Sequence, residues 1–202
     1  MLGPPIDCGA DIGIFFALVG ARADRLSRVV AFEPNTEVLS VLEMNLGFMS
    51  APSQLVPKAV SYFEGRGRLE RPRYDSSDHA RFLVPGEGPV EVTTVDAQGV
   101  RGGDVAIKID VEGGELEVLK GATETIRAAR ECVVTVEAHY QVAKRVGRDP
   151  SECLKYLESI RPFRFAIAET GEPVSGAHKI LDQNQGHIWN VVGWTHNAEN
   201  RS

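Results

Sequence analysis

Short apolar runs alternate with helical patterns along the chain, which predicts βα units and a largely parallel sheet. Residues 6–8, 29–32, 55–60, 105–109, 133–136, 163–168 and 188–194 form the seven strand-like runs. Several are continuous and β-branched, as strands covered on both faces are. Helical patterns fill the gaps. One covers residues 12–23, and a second opens near Asn35 and carries Val38, Val41, Leu42 and Met49 at helical spacing. A third opens at Gly114, with Leu116 and Leu119 inside it and Gly121 as its stop, and residues 123–130 make a short fourth. Asp149-Pro150-Ser151-Glu152 is a helix start signal, with a cap, a proline at the first helical position and a Glu at the third. The helix that follows carries Cys153, Tyr156, Leu157 and Ile160.

Between residues 61 and 103 glycines and prolines break the pattern repeatedly, predicting loops and a β excursion in which the alternating run 90–95 adds a strand. Residues 169–186 form a second irregular stretch; long irregular segments in a compact domain are often functional, and both stretches are expected to shape the acceptor site. The prediction is therefore an α/β, Rossmann-like fold with a mostly parallel seven-stranded sheet and helices on both faces. The 202 residues, without a Gly/Ser/Pro-rich linker, read as one domain.

Charge and cysteine usage narrow the function classes. The net charge of −6 and pI near 5.4 argue against nucleic acid as the main partner, since binding a phosphate backbone depends on Lys and Arg. Arg66, Arg68, Arg71 and Arg73 make a local basic stretch, read as a solvated hairpin or loop. Cys8, Cys132 and Cys153 lack metal-ligand spacing and suit a reducing compartment. No charged segment with an apolar stretch opens the chain, and the longest apolar run, residues 12–21, is too short to span a membrane. These features predict a cytoplasmic protein without a membrane span, and they leave room for a homo-oligomer. The first strand begins almost at Met1, so the expectation is either a shortened chain or a site cover supplied from elsewhere.

Four motifs carry candidate chemistry. Asp7, Gly9, Ala10, Asp11 and Gly13 lie in a strand-to-helix loop, where glycines allow a tight turn and close approach of a ligand. The loop lacks the second close glycine that cradles a pyrophosphate, and suits a ligand carrying a carboxylate, such as the methionine end of S-adenosylmethionine. The apolar run 29–32 ends in Glu33, followed by Pro34 and Asn35. An acid there accepts ribose hydroxyls in nucleoside-binding α/β folds; the alternative is a surface acid capping the next helix. The run 105–109 delivers Asp110 and Glu112 to a strand end, followed by two glycines. The run 133–136 delivers Glu137 and His139, two apart on one side of a continuing strand. Asp110, Glu137 and His139, with Glu112 orienting them, could deprotonate a hydroxyl, and the three could hold a divalent metal such as Mg. The alternatives are a helix cap at Asp110, a Glu137–Lys108 pair, and a loop histidine. Residues 74–78 are expected to approach the adenine.

Together these motifs resemble the FkbM-type methyltransferases, whose members carry a D-x-G-A-N-x-G loop, an A-F-E-P segment, a K-I-D-V-E-G block and an E-x-H strand end. The counterparts here are Asp7 to Gly13, Ala31-Phe32-Glu33-Pro34, Lys108 through Gly121 and Glu137-Ala138-His139, with Asn45 matching an Asn of the second helix. Asp11 departs from the family Asn. The resemblance implies a class I methyltransferase fold, S-adenosylmethionine as cofactor, and O-methylation of a small-molecule or glycan hydroxyl. The rivals are a nicotinamide-dinucleotide oxidoreductase and a non-catalytic binding domain that retains the fold.

Overall fold

The computed structural model describes residues 2–20, 26, 28–71, 81–175 and 188–195. In chain order the elements are β1 (Leu2–Cys8), α1 (Ile14–Gly20), β2 (Val29–Phe32), α2 (Leu39–Gly47), β3 (Ser53–Val56), β4 (Ala59–Val60), β5 (Gly65–Glu70), β6 (Phe82–Pro85) and β7 (Val90–Thr93). They continue with β8 (Asp104–Ile109), α3 (Glu115–Lys120), α4 (Thr123–Ala128), β9 (Glu131–His139), α5 (Tyr140–Val146), α6 (Ser151–Ile160), β10 (Phe163–Ile167), β11 (Pro173–Val174) and β12 (Ile188–Thr195).

The large sheet has the order β11-β10-β12-β9-β8-β1-β2-β3. From β9 to β3 all neighbours are parallel; β12, β10 and β11 join in antiparallel fashion. The sheet thus has eight strands rather than seven, because the two-residue β11 pairs with β10. The apolar run 55–60 is also two elements: β3 stays in the large sheet, while β4 opens a second, four-stranded sheet of order β4-β7-β5-β6. Pro57 lies at the break, where it has no N–H to continue a ladder. The second sheet is the expected β excursion, and the alternating run 90–95 supplies its strand β7.

Alternate residues of β2 sort the core into two layers. Val29 and Ala31 pack with Phe16, Leu42 and Leu46 of α1 and α2. Val30 and Phe32 face the larger cluster that includes Val118, Leu119, Ile126, Leu154 and Leu157 of α3, α4 and α6. All four β2 residues are fully buried, as a strand covered on both faces requires. β1 tolerates Pro4 and Pro5 because only Ile6, Asp7 and Cys8 pair with β2, while the register to β8 shifts between Leu2 and Pro5.

Helix starts follow local chemistry. Asp149 accepts the Ser151 N–H at 2.9 Å ahead of α6, which begins at Ser151, one residue after the expected start, with Pro150 at the cap position. The second helix begins at Leu39, after an Asn35–Val38 turn, and α1 begins at Ile14. Cys8, Cys132 and Cys153 are all buried and free. No described helix is long and apolar enough to cross a membrane.

β1, α1, β2, α2 and β3 wind to one side of β1, and the chain then returns to place β8 on the other. This reversal is the switch point at which open α/β sheets leave a crevice beyond their carboxyl ends.

Candidate active site

The β1–α1 loop forms one wall of that crevice. Gly9 and Ala10 donate their N–H groups to the Phe32 carbonyl at 3.1 and 3.0 Å, folding the loop over β2. Gly9 has φ +83, and a Cβ there would lie 1.9 Å from the Asp110 carbonyl oxygen, so only glycine lets β1 and β8 converge here. Asp11 is left-handed as well, with φ +47. Asn45 donates to the Ile12 carbonyl at 2.6 Å and ties the loop to α2.

Glu33 ends β2 and is buried. Its two carboxylate oxygens accept the Asp11 N–H at 2.8 Å and the Asn35 N–H at 2.7 Å. Burial raises its pKa, against the pull of those two N–H groups. Each oxygen has accepted one hydrogen bond and retains capacity for another on its cleft side.

Lys108, on β8, joins the walls from beneath. Its Nζ donates to Asp7 Oδ1 at 3.3 Å, Asp110 Oδ2 at 3.2 Å and the Gly9 carbonyl at 3.5 Å. Burial works against the ammonium, yet Asp7 and Asp110 hold its pKa above the ordinary lysine value. Asp7 is wholly buried, and burial pushes its carboxyl up to about 7 despite Lys108.

The resulting cleft, of about 180 Å³, is lined by Gly9, Asp11, Glu33, Asn35, Asp110 and Glu112 among others. Of the residues expected around a cofactor, Gly9, Asp11, Glu33 and Asn35 face it. Asp7, Ala10 and Gly13 sit behind the wall: Asp7 on Lys108, Ala10 in the α1–α2 core, and Gly13 where a Cβ would meet Leu42 at 2.8 Å. The opposite wall is apolar and comes from Ala59, Val60, Leu69 and Leu83 of the second sheet, with Lys58 and Arg81 beside them. Leu69, Arg81 and Leu83 fall in the irregular stretch 61–103 expected to shape the acceptor site, and here they wall the candidate cofactor cleft; Ala59 and Val60 fall in the predicted strand 55–60. Nothing local in a β excursion says where it docks. Residues 74–78, expected near the adenine, lie outside the described residues.

β8 and β9 are neighbours, pairing Ile109 with Val136, so Asp110 and Glu137 leave adjacent strand ends. β9 continues to His139, and Glu137 and His139 line one small cavity with Gly113, Glu115 and Cys153. Asp110 and Glu112 line the larger cleft instead. Glu137 is not paired with Lys108, which is engaged by Asp7 and Asp110. Burial first, then Asp110, Glu112 and Glu115, push the Glu137 carboxyl up to about 8. A divalent metal on Asp110, Glu137 and His139 is not favoured by this arrangement. Among the described residues no three His, Cys, Asp or Glu side chains converge as a metal-holding group, and the Asp110 carboxylate is turned to Lys108.

Of the basic stretch, Arg66 and Arg68 lie on β5 of a β5–β6 hairpin, with Arg68 bridged to Glu70; Arg73 is outside the described residues. The short helix α5 was not predicted. Its signal is Val142, Ala143 and Val146 at helical spacing, closed by a left-handed Gly147 at φ +73.

The sheet order and the switch-point cleft define a Rossmann-like α/β protein with the class I methyltransferase fold. Solved structures agree on the fold. Methyltransferase FkbM from Methylobacillus flagellatus KT matches with a TM-score of 0.57 at 20% identity, covering 97% of this chain and 44% of that one. A LepI variant in complex with SAH and a substrate analogue matches with a TM-score of 0.51 at 8% identity, covering 97% of this chain and 43% of that one. Residues 7–165 match the family model of the methyltransferase FkbM domain, and the chain belongs to that family of methyltransferases. The hexuronic acid methyltransferase AglP of Haloferax volcanii is 28% identical over 160 residues. The match covers 77% of this chain and spans 61% of that relative's length.

Proposed function

We propose that the chain is an S-adenosylmethionine-dependent O-methyltransferase acting on a hydroxyl of a sugar, polyketide or other small molecule. The observation that carries this reading is Glu33. It is a buried acid at the switch-point cleft, with each oxygen held by one backbone N–H and able to accept one ribose hydroxyl. Bound S-adenosylmethionine supplies an electrophilic methyl group on a sulfonium. Around it, Gly9 and Asp11 of the β1–α1 loop face the methionine end, and the apolar wall of Val60, Leu69 and Leu83 flanks the adenine. Asp7 and Lys108 act from beneath by holding Asp110 and the Gly9 carbonyl in place.

Holding acceptor oxygen and methyl in line is the largest part of the catalysis. A general base adds roughly 10²–10⁴-fold. Asp110, which lines the cofactor cleft, is the first proposed proton acceptor; Glu137 and His139, which line the small cavity beside it, are the others, with Glu112 as the proposed orienting group. With its carboxyl pushed up to about 8, Glu137 is mostly protonated at neutral pH and accepts a proton only as pH rises toward that value, so a Glu137 base would make the rate climb between about pH 7 and 8. A sugar acceptor is supported by the AglP relative, which its name describes as acting on a hexuronic acid.

Thermal-shift measurements with S-adenosylhomocysteine (SAH) and with NAD test the cofactor. The expected result is a melting temperature raised by SAH and unmoved by NAD. Stabilisation by NAD alone would replace this reading with an oxidoreductase.

A further inference from the structure

A second cleft, of about 470 Å³, opens beside the first and shares Val60, Leu83, Val111 and Glu112 with it. Its floor is largely apolar, with Tyr62, Phe82 and Pro85 supplied by the second sheet and its connections. Two arginines stand on its wall. Arg148 is neutralised by Glu117 at 2.5 Å. Arg145 is different. Its Nη2 donates to the Glu112 carbonyl at 2.6 Å, and its guanidinium lies 4.8 Å from the centre of the Phe82 ring. Neither contact neutralises its charge, and among the described residues Arg145 has no carboxylate partner.

The backbone is shaped to put it there. Glu112 adopts φ +57, a conformation that L side chains rarely take, and its carbonyl thereby meets Arg145. Gly113 follows at φ +106, and a Cβ there would lie 2.6 Å from Val146 and 3.0 Å from Val142. Only a glycine lets α5 pack this tightly on the β8–α3 loop. An arginine anchored on a carbonyl and an aromatic face still has N–H donors free, in the fork that matches an oxyanion bidentately.

We infer that the second cleft is the acceptor site and takes an anionic acceptor, a sugar bearing a carboxylate or a phosphate whose oxyanion is held by Arg145. This rests on the methyltransferase reading and adds the acceptor's charge and the residue that selects it. The apolar floor receives the sugar ring, Tyr62 and Phe82 offer aromatic faces to its C–H groups, and the shared wall places the acceptor hydroxyl beside the first cleft. The acidic protein thus keeps one uncompensated cation where an anion must bind.

The test uses the full chain with methyl β-D-glucuronide, methyl β-D-glucoside and methyl β-D-glucoside 6-phosphate. Methyl transfer from S-adenosylmethionine is one readout; calorimetric binding of each probe to SAH-loaded protein is the other. One of the anionic probes is expected to exceed the neutral one by about tenfold or more in kcat/KM or affinity, the size of a charge-assisted contact. Which of the two wins identifies the anion. Arg145→Gln is expected to collapse that ratio, acting through KM, with SAH affinity within about twofold of wild type. Arg145→Lys keeps the charge without the fork and should retain part of the preference; it decides the matter if the Gln variant does not fold. Equal handling of all three probes, or an Arg145→Gln variant that weakens neutral and anionic probes alike, overturns the inference. Failure of wild type to bind SAH marks failure of the methyltransferase reading instead, and the probe-binding comparison on the unloaded protein then decides this one.

Discussion

Asp11 stands where the family loop carries Asn, and its backbone explains the exchange. At φ +47 the position demands a residue that tolerates the left-handed region, and Asn and Asp are the side chains other than glycine that do so most readily. Its contribution to the loop is its N–H to Glu33, which either residue supplies. Glu137 shows the opposite, an environment that resists the charged side chain. The folded protein keeps the Glu137 proton up to about pH 8, whereas an unfolded chain releases it near the ordinary value of 4.5. Across that window the unfolded state binds fewer protons, so this group lowers stability progressively as pH rises from about 4.5 to 8. Glu137→Gln removes the decline. Melting temperatures of wild type and variant should lie close at pH 5 and diverge toward pH 9, with the variant higher. A constant difference across that range would show that Glu137 does not titrate in this way. The residues themselves were legible because each motif is local: Asp7 to Gly13, Glu33, Asp110. Their partners were not, since the Lys108–Asp7 bond joins positions 101 residues apart.

At the level of elements, hydrophobic period located the strands β1, β2, β8, β9, β10 and β12, and the Asp149 cap located α6. It failed where one apolar run serves two sheets. Residues 55–60 read as one strand, yet the chain changes sheets at Pro57. Gly121 ends α3 as predicted but for a reason outside the helix. Its φ is −79, with no left-handed turn, and a Cβ there would lie 2.0 Å from the carbonyl oxygen of Ser61, the residue just after β4. The helix α5 was overlooked because its seven residues hold only a narrow apolar stripe. Gly9 tests how tightly elements converge at the site. Gly9→Ala combines a left-handed φ with a Cβ 1.9 Å from the Asp110 carbonyl, so it should cost about 2 kcal/mol or more in denaturant unfolding and weaken SAH binding. A variant of unchanged stability would mean that the β1–α1 loop has room to move away from β8.

For the whole molecule, the decisive feature is the reversal of winding at β1. It brings the ends of β1, β2 and β8 to one crevice and hangs the second sheet over it. Alternating β and α patterns made the sheet legible as mostly parallel. They did not reveal the eighth strand, which is two residues long, nor that the β excursion walls both clefts. That docking is long-range packing, and it gives the loop with its buried acid an opposite wall and sets a second cleft, lined by Arg145, beside it.

The central claim is that Glu33 receives the ribose of S-adenosylmethionine at that crevice. Calorimetric titration of SAH into wild type and Glu33→Ala tests it most directly. A charged acceptor contributes about 1.5–3 kcal/mol per hydrogen bond, so the variant should bind SAH at least tenfold more weakly while remaining folded by circular dichroism. Equal SAH affinity in the two proteins, or no SAH binding by wild type, would contradict the account.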